Sequence, residues 1–313
     1  MYKYIAKRLL LLIPILMSVL FIVYFILYKT PGDITQLILG TEWTEETSAI
    51  LKAKLGLDQP FIIQYFNYIK TLLSGSFGNS YFSGEPIIDQ IAVRLPTTLA
   101  ILVSSVILCV IVSIPIGVHA AVKPHSASSA FSTIFALFGV STPNFWLGLM
   151  LILLFCVKLD WLPSSGLDHW YSLILPAFTV GTANMAGVMR TTRASMQEEV
   201  LQDYVRTARA KGVKKQRVVY RHALPNALLP TITVIGMDIG TLVGGTVLTE
   251  TVFSIPGIGR MMIGAIHQQD IPSVLACILI MSTAVGLASL GVDIVYALVD
   301  PRIKAKYVSG RRR

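Results

Sequence analysis

Six apolar runs, each long enough to cross roughly 30 Å of hydrocarbon as a helix, constrain this chain more than any other feature. They extend from about Leu9 to Tyr28, Pro96 to Val118, Ala130 to Val157, Tyr171 to Met189, Ala227 to Leu248 and Ser273 to Leu298. The charged share is 14% and the mean hydropathy +0.67, whereas soluble domains carry about 25% charged residues. Backbone groups inside a bilayer have no water to bond, so each run must close its hydrogen bonds internally as a helix. The predicted fold is therefore an all-α membrane protein with six transmembrane helices, a single transmembrane domain over residues 1–313.

Charge asymmetry orients the spans. With both termini inside, the cytoplasmic segments hold nineteen of the 26 basic residues, and the outer segments hold eleven of the 17 acids. The net charge of +9 lies beside membrane ends, where topology and lipid headgroups account for it, so nucleic-acid binding is not expected. The N-terminal run is too long for a signal peptide and lacks a small-residue cleavage site, so it reads as a retained span. The terminal Arg311–Arg313 run reads as a topology anchor or a cloning remnant. Cys109, Cys156 and Cys277 fall within spans, which implies no disulfide framework.

Two soluble segments stand out. Residues 29–95 form the large outer loop, in which LGLDQPFIIQYFNYIKTLL has helix-compatible aromatic and aliphatic spacing. Those aromatics either sit at the lipid interface or form a landing surface for a delivery protein. Residues 190–225 form a charged cytoplasmic loop. There Ser195 and Glu198 match a capping box that would start a helix. Val200, Leu201, Tyr204, Val205 and Ala208 follow at helical spacing as one apolar stripe. Gly212 is suited to end that helix in the left-handed conformation. A second short helix, about Lys214 to His222, is expected next, with Pro225 marking the turn into the following apolar run. Helix, glycine hinge and helix make a knob fit to dock on a soluble partner.

The knob resembles the cytoplasmic coupling loop of ATP-binding-cassette importer permeases, whose pattern is Glu-Ala-Ala, three residues, Gly, nine residues, Ile, one residue, Leu-Pro. Arg206, Thr207 and Ala208 stand at the first three positions, Gly212 at the glycine, His222 at the isoleucine, and Leu224 and Pro225 at the end. The fuller string DYVRTARAKG is similar to that of the dipeptide/oligopeptide/nickel branch, in its first-permease (B-type) chain. GDITQLILG, LGLDQP, SFGNS, RLPTT, STPNFWLG, LPSSG, TRASM, LTETVFSIPGIGR and DPRIK follow the same family's order, so the resemblance covers nearly the whole chain. It implies a type I importer permease fold in the bacterial inner membrane. It also implies half of a translocation path for peptides, with nickel or metallophore and glutathione as alternatives within the same machinery. The implied partners are a second homologous permease chain, two ATPase subunits that bind ATP and Mg, an extracytoplasmic solute-binding protein and the lipid bilayer.

The residues themselves agree with a non-catalytic chain. There is no G-x-x-x-x-G-K-[ST] phosphate loop, so ATP would be bound elsewhere. No catalytic constellation stands out, and His119, His125, His169, His222 and His267 lack ligand spacing. Asp238 and Asp293 lie inside spans. Asp293 is near the inner end of the last span and suits a structural role, whereas Asp238 is midway along the fifth, where a carboxylate faces either a path or a structural partner. The family carries a neutral amide near this place. Gly236, Gly240, Gly244 and Gly245 suit close helix packing, inside the subunit or against a partner chain. An ion-coupled transporter or channel would be expected to show repeats and more buried charges, and a passive scaffold would leave the knob unexplained.

Overall fold

The computed structural model describes residues 2–124 and 126–299, so His125, the closing DPRIK and the basic residues after Asp300 lie outside the described residues. Every regular element among the described residues is helical. The helix α1 (Tyr2–Lys29) is followed by the outer-loop helices α2 (Ile34–Leu39), α3 (Glu45–Leu55) and α4 (Phe61–Leu73). Next come α5 (Ile87–Val122), α6 (Ala127–Ser141), α7 (Asn144–Leu151) and α8 (Ile174–Glu199). The knob and its continuation are α9 (Asp203–Ala210), α10 (Lys215–Arg217), α11 (Leu224–Met237) and α12 (Ile239–Val252), and the last described elements are α13 (Ile258–His267) and α14 (Ile271–Val299).

Four of these helices are long and apolar enough to cross a membrane, and a fifth span is reached if the bent pair of α11 and α12 counts as one. The third apolar run is not one straight helix. It breaks between α6 and α7, where Thr142 is extended and Pro143 precedes Asn144. A residue before proline is driven out of the helical region, and proline offers no N–H to continue the ladder. The run then widens into a π-helical stretch, Ile152–Lys158.

Contacts divide the chain into two units. One comprises Ala6–Thr98 and Ile255–Ala284. Its core joins Leu20 and Tyr24 of α1 to Tyr65, Tyr68 and Ile69 of α4 and Leu275 of α14. Aromatic edges reinforce it: Phe21 and Tyr65 meet at 5.3 Å with rings 89° apart, the geometry ring quadrupoles favour. Polar ties fix the loop. Tyr24 Oη donates to Gln64 Oε1 at 3.1 Å, and Lys52 Nζ meets Asp33 Oδ2 at 2.7 Å. Asp270, buried at the start of α14, accepts from Ser80 Oγ, Tyr81 N and Ser273 Oγ, so the segment after α4 is pinned by one carboxylate. Helix α4 forms as its residue spacing predicts, with Tyr65, Tyr68 and Ile69 inward and Ile62, Ile63 and Phe66 exposed.

The other unit comprises the described parts of Met1–Ile5, Leu99–Ser254 and Val285–Arg313. Helix α8 is its axis, buried over most of its length. Small residues permit that burial. A Cβ on Gly117 of α5 would stand 2.9 Å from Met189 O, and one on Gly139 of α6 2.9 Å from Thr182 O. Asp293 accepts from Tyr4 Oη at 3.1 Å, a structural tie between the two ends of the unit.

Candidate functional site

The knob begins later than its sequence suggests. Ser195 and Glu198 lie inside α8, so the expected capping box does not form. Thr192 and Met196 are fully buried at helical spacing, and this packing carries α8 one turn past the polar signal. The chain then breaks at Leu201–Gln202, Gln202 is extended, and α9 starts with Asp203 in its first turn, where a carboxylate suits the positive helix end.

That break splits the expected stripe. Val205 and Ala208 enter a cluster with Val118 of α5, Met196 of α8, and Val218, Val219, Ala223 and Ala227. Val200 and Leu224 pack on its margin. Leu201 is 66% and Tyr204 41% exposed, because the extended link takes residues 200 and 201 out of the register of α9. One turn of helix thus seats on the protein's own spans while two large apolar side chains remain outside. Tyr204 Oη donates to Glu199 and accepts from Asn226 Nδ2 at 2.9 Å, tying α9 to the end of α8 and the start of α11. Burial, with the Glu199 contact, raises its pKa above the usual phenol value. Arg206 and Thr207 are exposed, and Thr207 Oγ1 donates to Asp203 O.

Gly212 ends α9 as expected. Its φ is +77°, with Val213 N bonded to Ala208 O and Gly212 N to Arg209 O, the paired bonds of a Schellman turn. The second knob helix does not stop at Pro225. Residues 215–237 run as one helix, passing through a π-helical turn, Val218–Ala223, into α11. In that turn Leu224 N reaches back to Val219 O. Widening the register here admits a ring that has no N–H and would crowd the Arg221 carbonyl in an α-helix. His222 is half-buried and Pro225 exposed.

The fifth apolar run is bent by 47° at a single residue, Asp238. Asp238 closes α11 and opens α12 with φ −82° and ψ −5°. Across the bend Asp238 N still donates to Val234 O and the Asp238 carbonyl accepts from Leu242 N, both at 3.0 Å, and Asn184 Nδ2 of α8 adds a second donor to that carbonyl at 3.3 Å. The carboxylate lies 3.8 Å from where a Cβ on Gly187 would stand, and among the described residues it has no hydrogen-bond partner. Sequence reading missed Asn184 and Gly187. The available signal was an amide within an apolar run, three residues from a glycine. The glycines of the bend divide: a Cβ on Gly236 would stand 2.3 Å from Val292 Cγ1 of α14, whereas Gly244 has nothing within 4 Å.

Comparison with known proteins agrees along the whole chain. Residues 113–305 match the family described as binding-protein-dependent transport system inner membrane component, and residues 1–102 match its N-terminal component. The chain is 39% identical over 315 residues to the oligopeptide transport system permease protein AppB of Bacillus subtilis (strain 168), covering 97% of this chain and 100% of that one. It is 40% identical over 306 residues to the glutathione transport system permease protein GsiC of Escherichia coli (strain K12), covering 98% and 100%. Among solved structures, a chain of the inward-facing MetNI methionine ABC transporter superposes with TM-score 0.54 at 22% identity, covering 69% of this chain and 99% of that one, a likeness of fold. The chain belongs to the binding-protein-dependent transport system inner membrane component family and is a multi-pass protein of the bacterial inner membrane.

Proposed function

We propose that this chain is the non-catalytic permease subunit of an ABC importer, forming half of a path that carries peptides inward. The observation that carries this reading is the knob: α9 has one face built into the cluster on α5, α8 and α11, while Leu201 in the link before it and Tyr204 in its first turn remain exposed. A push on such an element moves the spans it sits on. The coupling loop of residues 190–225 is then the contact with two ATPase subunits, which supply ATP and Mg, and the switch is an alternation of inward- and outward-facing states. Counting α6–α7 and α11–α12 as one interrupted span each gives six spans with both termini cytoplasmic, consistent with the charge asymmetry. Residues 29–95 face outward, towards an extracytoplasmic solute-binding protein. A second, homologous permease chain completes the path.

Peptide is the favoured cargo because AppB is named for oligopeptides, and glutathione, the cargo in the name of GsiC, is itself a short peptide. Asp238, whose carboxylate has no hydrogen-bond partner among the described residues, is the residue we assign to meet a cationic group in the path. Purification of the tagged chain from membranes is the test. ATPase polypeptides in stoichiometric amount are expected, with ATP-dependent peptide uptake after reconstitution and no hydrolysis by the isolated chain. Absence of ATPases from a well-folded preparation, or hydrolysis that survives their removal, overturns the reading.

A further inference from the structure

The knob is unequally charged. Between residues 203 and 221 seven Lys or Arg side chains stand against the single acid Asp203, and all seven are exposed. Arg206 meets Asp203 at 3.6 Å with both side chains largely in solvent, a pairing that neutralises little. Lys211, Lys214 and Arg217 line a hollow of about 330 Å³ at the Gly212 turn, and nothing lies within 4 Å of where a Cβ on Gly212 would stand. Three cations around one open hollow repel each other unless negative charge enters it.

We infer that the surface docked here presents carboxylates, at least one of them seated among Lys211, Lys214 and Arg217. The inference rests on the proposed function and names the chemistry of the ATPase face: acidic where it meets the C-terminal end of α9, apolar where it meets Leu201 and Tyr204. A protein fits better than anionic lipid headgroups. The exposed Glu198 and Asp203 share the knob with the cations, and a negative membrane surface would repel them, whereas a folded partner can match both signs.

The test uses the assembled transporter in nanodiscs of phosphatidylcholine and measures ATPase retention against salt. Two triple variants are compared with the unaltered chain, Lys211→Gln/Lys214→Gln/Arg217→Gln and the same positions to Glu. Retention in the unaltered complex is expected to weaken as salt shortens the screening length, by about tenfold in the Gln variant and further in the Glu variant, with peptide-uptake loss in step. Retention indifferent to salt and to both variants overturns the inference and leaves the proposed function standing. An effect seen only when anionic lipid is added also overturns it, assigning the hollow to headgroups. An unaltered complex that holds no ATPase removes both.

Discussion

Single residues carry two opposite charge problems in this chain. Asp238 lies at the bend of a span with its carbonyl held by Asn184 and its carboxylate unpartnered among the described residues. Asp238→Asn keeps size and shape. It is expected to assemble with unchanged yield while slowing uptake of cationic peptides about tenfold more than that of neutral ones, a difference of roughly 1.4 kcal/mol. Uptake, yield and melting measured together decide the matter, because a purely structural acid would lower yield and melting whatever the solute. Asp33 is the solved case. Burial alone would raise its carboxyl pKa, yet hydrogen bonds from Lys52 and Thr35 hold it below the usual carboxylate value. A lowered folded-state pKa gives stability that is present above the unfolded value and lost as pH falls through the folded one. Protection factors of the α2 and α3 amides, corrected for the intrinsic pH dependence of exchange, should therefore be flat from about pH 7 to 5 and fall below about pH 4. Asp33→Asn should remove that dependence.

At the scale of elements, α9 is a two-turn helix too short to persist alone, and its stability comes from what Val205 and Ala208 bury. Val205→Ala removes about two buried carbon groups and is expected to cost about 2 kcal/mol, read as a lower melting temperature and faster proteolysis of residues 200–214. Leu201→Ala removes a larger side chain from an exposed position. It should leave melting within about 0.5 kcal/mol of the original but weaken ATPase retention. Equal effects of the two on melting would show that Leu201 is not free. Gly212→Val tests the turn that closes the same element. Nothing obstructs a Cβ there, so the expected cost, about 1–2 kcal/mol, comes from the left-handed backbone and from β-branching. Insertion should be intact and substrate-stimulated ATP hydrolysis lost.

For the molecule as a whole, the fifth span shows packing inside one chain and surface left over. Gly236 lets α11 approach α14 so closely that a single methyl would meet Val292, while Gly244 faces open space on α12. Gly236→Ala is expected to lower the melting of the isolated chain by about 1–3 kcal/mol through overpacking. Gly244→Ala should leave it unchanged or raise it by up to about 1 kcal/mol through helix propensity. Thermal melts in detergent of the two single variants check both. If the second permease chain of the proposed function packs on this face, Gly244→Ala will lower its co-purification without a melting defect.

Much of this architecture is legible in the sequence because it depends on sums over long windows. A run of about twenty apolar residues marks a segment for burial in lipid or protein, and the uneven spread of Lys and Arg is read directly along the chain. Gly212 is legible for a local reason: a left-handed turn after a helix admits glycine with no penalty. The boundaries were decided by tertiary packing. Ser195 and Glu198 carry a sound capping signal, but burial of Met196 against α5 outweighs it and α8 runs on. Pro225 carries a sound breaking signal, but a π-helical turn absorbs the ring because Val218, Val219 and Ala223 remain buried by the helix that continues. The bend at Asp238 is supported by Asn184, 54 positions away in the chain. Capping, breaking and bending each involve about 1–3 kcal/mol, within the range that burying one or two side chains supplies. Sequence alone therefore determined that this is an all-helical, multi-pass membrane chain, and the tertiary structure decided where each helix stops, bends and turns its faces.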